Sequence, residues 1–157
     1  MNSQELADAI EQYRVGLETG VTLLRQLHAV AGRQREGTER RDYERLASES
    51  DARDRLTCAL VAIEPGLRAV RASLAAAQAD LSAFPGFAGV LALRHTAAEL
   101  VTSILDTDRD SMQALADAEL ARRAAVASLE CGEATLAAYR RVLTPPVASA
   151  SLLDQRG

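Results

Sequence analysis

Leu56, Leu60, Ile63, Leu67, Val70, Leu74, Ala77 and Leu81 recur at alternating steps of four and three residues. A stripe with that period stays on one side of an α-helix and on neither face of a strand. It has to be buried against other helices, so this run commits the chain to helix-on-helix packing. Composition agrees. Of 157 residues, 31 are Ala and 22 are Leu, with five aromatic residues and no Trp. Ala and Leu lead the helix-propensity ranking, whereas the residues that fill sheets are sparse. The length suits one domain that builds a core without metals or disulfides. The fold class read from the residues is all-α.

Three long helices account for the pattern. Helix 1 is expected from about Ser3 to Arg33, on Leu6, Ile10, Tyr13, Leu17, Leu24, Leu27 and Ala31, with Gly20 in the gap. Asn2 with Glu5 supplies a capping-box start. Gly32 and Gly37 in "GRQREGTERRD" read as stop signals. Helix 2 is expected from about Asp42 to Ala83. Pro65 removes the donor to the Val61 carbonyl, yet the apolar register runs on from Ile63 to Leu67, so a kinked helix is preferred to two separate ones.

After the turn "SAFPGFAG", helix 3 is expected from about Phe87 to Val142. Its seam is Val101, Ile104, Leu115, Ala118, Ala125, Leu129, Gly132, Leu136, Tyr139 and Leu143. At ~1.5 Å per residue, helices 2 and 3 come to roughly 60–80 Å. The expected architecture is an elongated antiparallel bundle of three long helices, or four if helix 3 breaks near Asp106–Asp110. The shorter helix 1 would cover the first half of helix 2 and the second half of helix 3. A helical hairpin tipped by Phe84 and Phe87 would then protrude. Those two phenylalanines either close the turn against each other and Leu91 or form a contact patch. Residues 1–143 would form the bundle and 144–157 a flexible tail, because Pro145 and Pro146 stop the helix and the remainder buries too little to offset its ordering entropy.

Charges interrupt the seams. Glu49 and Arg53 in helix 2, and Asp108, Ser111 and Arg122 in helix 3, fall on core-type positions. Folding the hairpin near residue 85 makes Glu49 face Arg122, either to fix alignment at some expense of stability or to line a polar cleft.

Chemical sites are hard to find. Asp106, Asp108, Asp110 and Asp117 match four positions of a calcium-binding helix–loop–helix, but Ser111 stands where the loop requires Gly. His28 and His95 lack a Glu-x-x-His setting, and Cys58 and Cys131 lack metal spacing, so all four read as boundary or core residues. No phosphate loop or nucleophile–base set is present, so neither an enzyme nor a cofactor is expected. The net charge of −4, with interspersed signs, leaves no nucleic-acid footprint. The longest uncharged stretch, Leu81 to Leu93, is too short to span a bilayer, and "MNSQELADAI" does not read as a signal peptide. A cytoplasmic protein is the expectation.

Two segments carry a family resemblance. "YERLASESDARDRLTCALVAIEPGLRAV" resembles the second helix of flagellar export chaperones of the FlgN/FliT type. "ILDTDRDSMQALADAELARRAAVASLECGEATLAAYRR", with its proline-containing tail ending "LLDQRG", resembles their last helix and tail. The matching points are Asp108, Leu115, Leu129, Gly132, Tyr139 and Asp154-Gln155-Arg156-Gly157, while Pro65-Gly66 departs from the unbroken helix of the pattern. The resemblance implies a chaperone that holds the C-terminal amphipathic helix of a hook-associated, filament-cap or filament subunit and delivers it to the export apparatus. It also implies that Tyr139 helps dock at the export gate, whereas the residues alone equally allow it to cap the bundle core. Ala125, Leu129, Gly132, Leu136 and Tyr139 have the spacing and small residues of a helix-in-groove site. A structural coiled-coil adaptor or self-assembling bundle, including a homodimer, is the alternative reading.

Overall fold

A computed structural model describes residues 2–77 and 81–143. It contains three α-helices, α1 (Ser3–Arg40), α2 (Tyr43–Ala76) and α3 (Phe87–Leu143), with a short 3-10 turn at Leu81–Ala83. No strand occurs among the described residues. The expected tail, 144–157, lies outside them, as does the 78–80 part of the expected helix 2. Two compact units are present, 1–115 and 116–157.

α1 starts as its sequence dictates. The Asn2 side chain accepts from the Glu5 N–H at 2.8 Å, and the Glu5 carboxylate accepts from the Asn2 N–H at 2.7 Å. It does not stop at Arg33. A Cβ on Gly32 would meet no atom within 4 Å, so that glycine answers no steric demand. At Gly37 a Cβ would lie 3.3 Å from the Leu46 side chain, so this glycine serves close packing against α2. The stop is Arg41, whose φ of 56° and ψ of 34° are left-handed. There the Arg41 N–H donates to the Thr38 carbonyl at 3.2 Å and the Asp42 N–H to the Gly37 carbonyl at 2.9 Å. The Asp42 carboxylate then accepts from the Arg45 N–H at 3.0 Å and caps α2. Two residues therefore reverse the chain.

This turn overturns the expected coverage. α1 and α2 are nearly equal in length, so the start of α1 reaches the end of α2. Leu6, Ile10 and Tyr13 are buried with Leu74 and Val90, and Leu67, Val70, Ala77, Leu81, Phe84 and Phe87 pack around them. Further along, Leu27, Ala31 and Ile104 form a second cluster with Leu24, Leu56 and Leu60. Within the 1–115 unit the hairpin tip is covered by α1 and does not protrude.

The α2 seam holds. Arg53, Leu56, Leu60, Ile63, Leu67, Val70, Leu74 and Ala77 are all buried or half-buried, while Pro65 and Gly66 are exposed. α2 is a single helix across Pro65, because the missing donor faces away from the packed side. In α3 the helix likewise continues through Asp106–Asp110, which leaves three long helices and not four. α1 packs against two helices, so its buried band is wider than the expected seam and takes in Val21, Val30 and Thr38.

Arg41 is the one non-glycine residue with positive φ among the described residues. Arg41→Gly should raise stability by about 0.5–1 kcal/mol in urea denaturation, because glycine adopts the left-handed geometry without a Cβ penalty. A destabilised variant would contradict this account of the turn.

Candidate functional site

The charges on the seams form pairs inside the 1–115 unit that differ from the expected one. Arg53 of α2 donates two parallel bonds to the Asp108 carboxylate of α3, one of them at 2.7 Å, and a third at 2.9 Å to the Gln34 carbonyl oxygen of α1. One guanidinium thus ties three helices. The Arg53 side chain is 28% exposed and that of Asp108 22%, so water still reaches the pair. The bonds to Asp108 hold the guanidinium above its ordinary value.

Glu49 accepts from Arg33 of α1 at 2.7 Å, which pulls its carboxyl below the usual range. Arg122 donates to Glu119 on its own helix at 2.8 and 2.9 Å. Glu49 and Arg122, expected to face each other, are each bonded to another residue. The reason is the register, since the full-length α1 supplies Arg33 beside Glu49.

Other singled-out residues also find places. His28 Nε2 lies 2.8 Å from the Ser103 hydroxyl, linking α1 to α3, and His95 sits 3.2 Å from Glu99 one turn on. The four aspartates with calcium-loop spacing lie along an unbroken helix, so they form no loop. Asp106 pairs with Arg109 at 3.2 Å and Asp110 lies 3.6 Å from Arg35. Cys58 and Cys131 are exposed, contrary to their reading as core or boundary residues. Phe84 and Phe87 are half-buried against the first cluster. Leu91, expected to join them, is 48% exposed.

The 116–143 part of α3 has a different character. Every residue from 121 to 143 is exposed. Of the fifteen large exposed hydrophobics among the described residues, seven lie here: Leu120, Val126, Leu129, Leu136, Tyr139, Val142 and Leu143. Leu129 is 74% exposed, Leu136 69% and Tyr139 61%. Ala125 precedes Leu129 on the same stripe, Gly132 lies between Leu129 and Leu136, and a Cβ on Gly132 would meet no atom within 4 Å. Glu119 is gripped by Arg122 and Arg123, whose bonds of 2.8–2.9 Å hold its carboxyl down to about 2. From Ala125 to Leu143 the helix therefore carries an uninterrupted apolar stripe, with the ionic group of Glu119, Arg122 and Arg123 before it. Five residues read from spacing as a helix-binding set share this open stripe.

No described helix is long and apolar enough to cross a membrane. Comparisons of the chain with protein-family models, with curated proteins and with solved structures found no match.

The ion pairs separate structural from binding roles. Asp108→Ala should cost about 1–2 kcal/mol in urea denaturation, because it leaves a half-buried guanidinium without its carboxylate. Replacing the pair by Arg53→Met with Asp108→Leu should recover most of that loss. A neutral Asp108→Ala would remove this pair from the account of the body.

Proposed function

We propose that this protein is a flagellar export chaperone that binds the C-terminal amphipathic helix of a hook-associated, filament-cap or filament subunit. The observation that carries the reading is the exposed stripe on 121–143. An apolar face of that length in a helical protein calls for a helical partner, and Leu129 and Leu136 are spaced to enter the groove of one. Ala125 and Gly132 allow the partner backbone to come close. The family resemblance of residues 43–70 and 104–141 supports the choice of cargo class. On this reading the protein works in the cytoplasm, holds its cargo unassembled and hands it to the export apparatus.

Cargo and gate contacts divide along the helix. Leu129 and Leu136 grip the cargo, and Tyr139, one turn from the end of α3, docks at the gate. Because the three side chains are exposed, truncating them leaves the packed body intact.

Calorimetric titration of the full chain with peptides covering the C-terminal helices of axial proteins from the same genome tests the reading. One class should bind with micromolar or tighter affinity, and Leu129→Asp with Leu136→Asp should abolish it without lowering the melting temperature. Tyr139→Ala should keep both folding and peptide binding while export fails. Absence of binding to every axial peptide would overturn the cargo assignment.

A further inference from the structure

The stripe on 116–143 has an internal order that a single cargo helix does not require. It runs as two columns. One holds Leu115, Arg122, Leu129, Leu136 and Leu143, and the other holds Ala118, Ala125, Gly132 and Tyr139. Large residues fill the first column and small ones the second; Arg122 is the one charged member of the first, and Tyr139 the one large member of the second. We infer that this face is self-complementary, and that a second copy of the chain covers it in an antiparallel coiled coil centred between Glu130 and Cys131.

In an antiparallel pair, each layer combines a residue of one column with a residue of the other column of its partner helix. Centred as stated, Leu129 meets Gly132 of the second copy, Leu136 meets Ala125, and Leu143 meets Ala118. Each leucine therefore faces a small residue, so the layers have nearly constant width and the backbones approach closely. The remaining layer sets Arg122 against Tyr139, where a guanidinium lies over an aromatic face. The one charged residue of the first column thus meets the one aromatic residue of the second.

The flanks agree. Glu119 falls beside Arg140 of the second copy, and two-fold symmetry repeats that opposite-charge pair at the other end. Ser128 falls beside Thr135, and Ala121 beside Val142. Val126 meets Glu133, whose methylenes cover it while the carboxylate stays at the solvent edge. A parallel pairing in register does worse on every count. It stacks leucine on leucine and glycine on glycine, which alternates crowding with gaps, and it sets Arg122 against Arg122.

The exposed stretch, 121–143, covers just over three heptads, enough for a coiled coil to form. The inference is independent of the proposed cargo. Where both hold, cargo and second copy contend for one face, and self-pairing covers the stripe until cargo arrives.

Cys131, exposed and next to the centre, provides the probe. In full-length protein carrying Cys58→Ser, nitroxides on Cys131 should lie within roughly 30 Å of each other across the pair. With Cys58→Ser and Cys131→Ser, nitroxides on Val142→Cys should be separated by about 35 Å or more along the axis. Arg140→Glu should weaken the dimer by about tenfold in sedimentation equilibrium, and adding Glu119→Arg should restore it. Short distances at both positions would show parallel pairing and overturn the inference. A chain that stays monomeric at micromolar concentration would overturn it too, while leaving cargo binding to its own test.

Discussion

The structure depends on a two-residue reversal. Arg41 in left-handed geometry and Asp42 as a cap end one long helix and begin the next with no slack. Because α1 and α2 start from that point and run almost equally far, their pairing register is set along their whole length. Gly37 beneath Leu46, Gly20 beneath Ile63 and Gly16 beneath Leu67 keep the two backbones close. A Cβ on Gly16 would sit 2.7 Å from the Leu67 Cδ2, so any larger residue there has to displace that leucine. The first part of α3, from Phe87 to about Ser111, completes both buried clusters with Val90 and Ile104.

This packing explains where polar residues are tolerated. Arg53, Asp108 and Gln34 meet in the body where apolar residues would also pack, and bidentate geometry allows only one alignment of α2 with α3. Specification of register is a well-attested use of such a group. The Glu119 group with Arg122 and Arg123 is exposed and confined to one helix, so it contributes solubility and a charged margin instead of alignment.

Much of this was legible in the sequence, for physical reasons that differ by element. The α2 seam could be read through Pro65 because burial follows the heptad, and the proline falls on the outer face. The capping box at Asn2 was explicit in the residue types. The end of α1 was not legible. Glycine is both a helix stop and a close-packing residue, and only the position of Leu46 shows that Gly37 has the second role. That one error carried through to the coverage of α3, the exposure of Phe84 and Phe87, and the partner of Glu49. The stripe on 121–143 is marked by period alone, since spacing picks out Leu129, Leu136 and Tyr139 whether or not they are covered. Their exposure depends on how far the other helices reach, which the pattern of α3 does not encode.

The central claim is that the chain stabilises 87–111 of α3 by its own packing and leaves 121–143 for a partner. Hydrogen exchange of the full chain, read by mass spectrometry at a concentration where sedimentation shows monomer, measures this directly. Amides of 3–40, 43–76 and 87–111 should exchange together, only through unfolding of the body, while those of 121–143 exchange orders of magnitude faster. Equal protection of 121–143 and the body in dilute monomer would contradict the account.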